Sequence, residues 1–169
     1  MLVLQHPLEA REAKGTARLL QLSLARCTVM VGEQFDEAAV GALDGTALLY
    51  PAADASPAPA SPQPIQRLIL LDATWRKSRK MLHLNRWLLA LPRLALTEPP
   101  ASRYGLLRRA HEAHQLSTFE AGVLALQQVE GTEPARYAPL LEAFEGFVAG
   151  QSAHHYNPAP SIDSRVPRV

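Results

Sequence analysis

The chain has 169 residues, 47% of them apolar, 20% charged, and a net charge of +1. That length suits one domain with a real core, and no apolar run approaches the roughly 18 residues a membrane span needs. The small net charge hides a block: residues 67–109 hold ten Lys/Arg and two acids, whereas residues 1–66 hold four against seven and residues 110–169 three against seven. A basic block between acidic flanks suits a phosphate backbone, and equally suits a solvated helix face. The lone cysteine, Cys27, allows no internal disulfide or thiolate zinc site and fits a reducing compartment. The first seven residues, Met-Leu-Val-Leu-Gln-His-Pro, lack the parts of a signal peptide, so the expected location is cytoplasmic.

In chain order, Leu2–Gln5 reads as a short buried strand, and His6-Pro7 opens a helix whose apolar residues are Leu8, Ala13, Ala17, Leu20 and Leu24. Thr28–Val31 is a second strand, with Cys27 beside it as a small apolar residue. Gly32 ends it, and Asp36 caps a short helix over Glu37–Leu43. Ala47–Tyr50 is a third strand, closed by Pro51. Residues 51–64 carry five prolines among Ala and Ser and read as an extended loop. Leu68–Leu71 is a fourth strand ending at Asp72, followed by a helix over Trp75–Leu84 and a fifth strand over Arg93–Leu96. Ser117 or Thr118 caps a helix to about Val129, with Glu120 completing a capping box. Glu133–Ala149 forms a last helix with Tyr137, Leu140, Leu141, Phe144 and Val148 on one stripe, and residues 151–169 read as a loose tail. Apolar strands alternating with helices predict an α/β fold: a mostly parallel sheet covered by helices on both faces, in one domain over residues 1–150.

In such sheets ligands sit beyond the carboxyl ends of the strands. The distinctive residues there are Tyr50-Pro51, Asp72-Ala73-Thr74-Trp75 and Ser102-Arg103-Tyr104. Asp72 follows four buried aliphatics and can accept a proton or hold an amino group. Thr74 can cap the next helix, and the Trp75 indole can wall or stack. The same residues also read as an ordinary helix cap and a core tryptophan. Other patterns fall short. Lys14-Gly15-Thr16 lacks the upstream glycine of a phosphate loop, and His111-Glu112-Ala113-His114 lacks the zinc-protease spacing. His154-His155 lacks further ligands, so no metal is expected.

Leu71-Asp72-Ala73-Thr74-Trp75 resembles the motif that names the DTW-domain family. The likeness extends, in family order, to Leu4-Gln5-His6-Pro7, Lys14-Gly15-Thr16, Leu48-Leu49-Tyr50-Pro51, Leu91-Pro92-Arg93, Ser102–Arg109 and Ser117–Ala121. The resemblance implies a SPOUT-like scaffold with a C-terminal trefoil knot. It also implies an activity: transfer of the 3-amino-3-carboxypropyl group of S-adenosylmethionine to N3 of a tRNA uridine. An RNA methyltransferase on the same scaffold and a non-catalytic RNA-binding module are the alternatives. Typical relatives carry a cysteine cluster ahead of this region, which is not found here. By resemblance, Asp72 is the proton acceptor or the ligand of the cofactor's amino group. Pro51, Thr74, Trp75, Ser102, Tyr104, Leu106 and Thr118 shape the cofactor pocket. Arg76, Lys77, Lys80, Arg103, Arg108 and Arg109 grip tRNA phosphates. Either a monomer or a homodimer is compatible with this reading.

Overall fold

The central strands are too apolar to face water on either side, and the fold resolves this by sandwiching the sheet between two helical layers. In the computed structural model, residues 1–12, 15–51, 64–100, 102, 116–131 and 133–155 are described. The strands are β1 (Leu2–Gln5), β2 (Thr28–Val31), β3 (Thr46–Leu49), β4 (Arg67–Asp72) and β5 (Arg93–Leu94). They form one sheet of five strands in the order β2-β1-β4-β3-β5, and every pairing is parallel. The helices are α1 (Thr16–Ser23), α2 (Glu37–Val40), α3 (Trp75–Leu84), α4 (Thr118–Glu130) and α5 (Ala138–His155).

Alternation along the strands divides the core in two. Val3, Ala47, Leu68 and Leu70 pack with Ala17 and Leu20 of α1, Phe119 and Val123 of α4, and Phe144 and Val148 of α5. Phe119 and Phe144 stack with their ring centres 4.7 Å apart, which joins α4 to α5. On the other face Leu2, Leu4, Leu48 and Ile69 meet Phe35, Val40, Met81 and Leu82, and Leu88 of a 3-10 turn over Arg86–Ala90. Cys27 lies half-buried against the first cluster, and burial pushes its thiol pKa up, away from the range of an activated nucleophile.

Two polar residues fix the layers. Asn85, just past α3, accepts from the Phe35 amide at 2.6 Å and donates to the Glu33 and Met81 carbonyls at 2.8 and 2.7 Å. It therefore ties the loop after β2 to the end of α3. Arg67, counted in the basic block, is structural. Its guanidinium donates to Thr46 Oγ1 and to the carbonyls of Val40 and Ala42 at the end of α2.

Several boundaries differ from the sequence expectation. Residues 7–11 form turns rather than helix, Leu8 is 51% exposed, and α1 starts only at Thr16, after Gly15. The Glu9 and Ala10 amides are satisfied by the His6 carbonyl, so the chain folds back locally before the helix begins. The short helix ends at Val40 because Gly41 takes φ 82°. β3 ends at Leu49, although the Tyr50 amide still reaches the Leu94 carbonyl, and β5 stops at Leu94. The last helix begins at Ala138, behind a 3-10 turn over Pro134–Arg136, and runs into the expected tail as far as His155. The interior of the 51–64 loop, the tail beyond His155, and His111 and His114 lie outside the described residues.

At Gly122, α4 packs tightly against α1 and the sheet: a Cβ there would lie 2.7 Å from Cδ2 of Leu20 in α1, which is fully buried, and 3.3 Å from Cδ2 of Leu70 in β4. Gly122→Val is expected to lower the unfolding free energy by about 1–3 kcal/mol through overpacking. Urea denaturation measures this, and an unchanged midpoint would mean that the helix has room to retreat.

Candidate functional site

The chain leaves β1 toward β2 on one side of the sheet and leaves β4 toward β5 on the other. β1 and β4 are neighbours, so their carboxyl ends flank the switch point where open α/β sheets place ligands. The parallel register there sets Gln5 beside Asp72.

The two side chains meet. Gln5 Nε2 donates to Asp72 Oδ2 at 2.7 Å, and from the opposite side Thr118 Oγ1, in the first turn of α4, donates to Asp72 Oδ1 at 2.5 Å. A carboxylate is an acceptor only, which fixes the Gln5 amide with its nitrogen toward Asp72. Each Asp72 oxygen retains a lone pair. The result is a half-buried acid whose orientation is set by the sheet register and by the helix of the adjoining layer.

The first turn of α4 is itself held by a carboxylate. Ser117 caps the helix by accepting from the Glu120 amide, and Glu120 accepts from the Ser117 amide, which closes the capping box. Glu120 is only 2% exposed, and its Oε2 also takes the hydroxyls of Ser117 and Ser102 at 2.8 and 2.9 Å. Ser102 is thereby anchored to the same turn that delivers Thr118.

On the α3 side the rim is aromatic. Trp75, at the start of α3, is 46% exposed rather than core, and meets Tyr50 edge-on with centroids 5.8 Å apart. The Arg93 guanidinium lies 5.5 Å from the centre of the Tyr50 ring, and Tyr50 is in contact with Ser78. Pro51 is exposed just beyond Tyr50. Thr74 occupies the N-cap position of α3 but caps nothing with its side chain, so its hydroxyl takes no part in starting the helix.

A polar chain runs from β1 to α3. His6 is buried; its Nδ1 accepts from the Leu8 amide at 3.2 Å, and its Nε2 lies 2.7 Å from Glu33 Oε1. With Nδ1 accepting from the backbone, Nε2 is the ring nitrogen that donates to Glu33. Lys80 binds the other Glu33 oxygen at 2.6 Å. These hydrogen bonds, Lys80 first and His6 second, hold the Glu33 pKa below the usual carboxylate range.

The basic residues divide by partner. Lys77 is 2.8 Å from Glu9 with little exposure, and Lys80 is paired with Glu33 but largely exposed. Arg76, Arg79 and Arg86 are exposed, with no acid in ion-pairing range among the described residues. Arg103, Tyr104, Leu106, Arg108 and Arg109 lie outside the described residues. Of the remaining candidates, the structure joins Asp72 directly to Thr118 and anchors Ser102 beside that pair, while Pro51 and Trp75 line the next stretch of rim. Sequence reasoning gave Gln5, His6, Glu33 and Glu120 no site role, and placed Tyr50 at a strand end without giving it a task. Gln5 carried the same signal as Asp72, a polar residue closing a buried apolar strand.

Among the described residues no three His, Cys, Asp or Glu side chains converge as a metal site, and no helix is long and apolar enough to cross a membrane. An all-parallel sheet between helical layers, with an acid pinned at its switch point, defines an α/β protein with a rim site. The family model of the DTW domain matches residues 1–152, and the chain belongs to the DTW-domain family. That membership is consistent with a tRNA-modifying function. No curated protein and no solved structure matches the chain.

Because the folded state lowers the Glu33 pKa, the stability this side chain adds is complete above its unfolded value, about 4.3. It is lost as pH falls through the lower folded value. Chemical denaturation of wild type and Glu33→Gln across pH 3–7 should show a wild-type advantage that shrinks toward the acid end. An advantage that grew on acidification would contradict the arrangement.

Proposed function

We propose that this protein transfers the 3-amino-3-carboxypropyl group of S-adenosylmethionine to N3 of a tRNA uridine. The observation that carries the reading is Asp72 of the family's naming motif, held by Gln5 and Thr118 at the carboxyl end of a central strand. An all-parallel five-stranded sheet in the order β2-β1-β4-β3-β5 supports the SPOUT-like, knotted scaffold that belongs to this reading.

The rim chemistry fits the donor. Asp72 offers lone pairs to an ammonium, the exposed Trp75 indole offers a face for a purine, and aromatic faces beside an acid suit a sulfonium. When bound, S-adenosylmethionine supplies an electrophilic carbon attached to a good leaving group. The protein then has to orient that carbon, rather than the methyl, toward the base and to accept the N3 proton. Gln5 and Thr118 hold Asp72 for one of two tasks, taking that proton or anchoring the donor's amino group. Ser102 and Glu120 keep the α4 turn in place. Arg76 and Lys80, exposed on α3, meet the phosphates, in keeping with cytoplasmic work on tRNA.

Asp72→Asn keeps an acceptor for Thr118, and the Gln5 amide can turn to pair with the new amide, so the fold should survive. Incubation with tRNA and labelled S-adenosylmethionine, followed by nucleoside mass analysis, should give an aminocarboxypropyl adduct in wild type. The variant's kcat should fall about 10²–10⁴-fold if Asp72 takes the proton. Retained donor affinity by calorimetry marks a proton acceptor, and lost affinity marks an amino-group anchor. A methyl adduct, or full activity of Asp72→Asn, would refute the assignment.

Arg76→Glu should weaken tRNA binding and reduce the salt slope of log K by about 1, whereas Lys77→Gln, which removes a charge already paired with Glu9, should change the slope little. Filter binding over a salt series measures both, and equal slopes for the two variants would count against Arg76 as a phosphate contact.

A further inference from the structure

A cleft of about 560 Å³ lies on the α1/α5 side of the sheet, beside β1 and β2 rather than β3 and β5. Its apolar walls include Val29 and Val31 of β2, Leu19 of α1 and Phe147 of α5, while Glu9, Glu12 and Arg18 contribute polar lining. Val31 is 56% exposed, a large share for an aliphatic residue of a parallel sheet. Gln5 borders both the cleft and the acid: its Nε2 is committed to Asp72, and the residue is only 7% exposed. The Gln5 oxygen, turned away from the carboxylate, has no donor among the described residues. Buried amide oxygens are ordinarily satisfied, so an unpaired one at the margin of a cleft points to a ligand.

We infer that this cleft receives the acceptor base, a pyrimidine turned out of the RNA strand, with the Gln5 amide reading its polar edge. The inference rests on the transferase reading above. The volume falls in the range of small-molecule sites. Aliphatic and aromatic walls with one convergent amide suit a flat, neutral heterocycle. The phosphates of the strand are left to the exposed arginines of α3. Gln5 then stands between two sides of one site. The donor's aromatic rim is beyond β4, and the acceptor's cleft is beyond β1 and β2.

Val31→Trp fills the cleft from an exposed position on an edge strand, where an aromatic residue is well tolerated. The expected result is at least a tenfold loss of kcat/KM for tRNA, with S-adenosylmethionine affinity by calorimetry unchanged within twofold. Unchanged kcat/KM overturns the proposal, and so does a tenfold loss of donor affinity, which would place the donor in the cleft. Saturation-transfer NMR with free uridine gives a readout independent of catalysis. A signal in wild type that disappears in Val31→Trp and persists in Trp75→Ala supports the acceptor cleft, even if no transfer is found and the transferase reading fails. No uridine signal in wild type, or one that survives in Val31→Trp, overturns it.

Discussion

The site depends on the register between β1 and β4. Parallel pairing sets Leu4 against Leu71 and Gln5 against Asp72, so the last rung of an apolar ladder is polar on both strands. A one-residue slip would turn either side chain to the opposite face of the sheet. Val3 and Leu70 on one face, and Leu4 and Ile69 on the other, forbid that slip, because each is buried in its own cluster. The core therefore does more than stabilise the sheet: it sets which face Asp72 occupies and which residue it meets.

The second constraint comes from the layer above. α4 reaches Asp72 through Thr118 only because its first turn is tied down by the buried Glu120 and its body is pressed close to the sheet at Gly122. A buried carboxylate without partners would be costly, but Glu120 gathers one amide and two hydroxyls on a single oxygen. The capping box, normally a device for starting a helix, here also locates a side chain of the site.

Much of this was legible in the sequence. The four main strands announced themselves as short aliphatic runs, α3 was placed to the residue, and the cap of α4 was narrowed to Ser117 or Thr118, of which the structure uses Ser117. The Pro7 helix failed because local turns after His6 satisfy the backbone first, and Leu8 stands about 180° from Ala17 on a helical wheel, off the apolar stripe that α1 buries. The hydrogen bonds of Asp72 were not legible, since they join residues 67 and 46 positions away. Nor was the division of the basic block. Composition counts Arg67, Lys77 and Arg76 alike, but the first ties down backbone carbonyls, the second is matched to Glu9, and the third is exposed with no acid partner among the described residues.

The outer margins of the sheet have a consequence for how the chain meets copies of itself. β2 offers four residues along one side and β5 only two along the other. A strand from a second molecule docking on either side would gain few main-chain hydrogen bonds, too few to offset the loss of its own freedom. Fibril-like growth by lateral strand addition is thereby disfavoured at both borders.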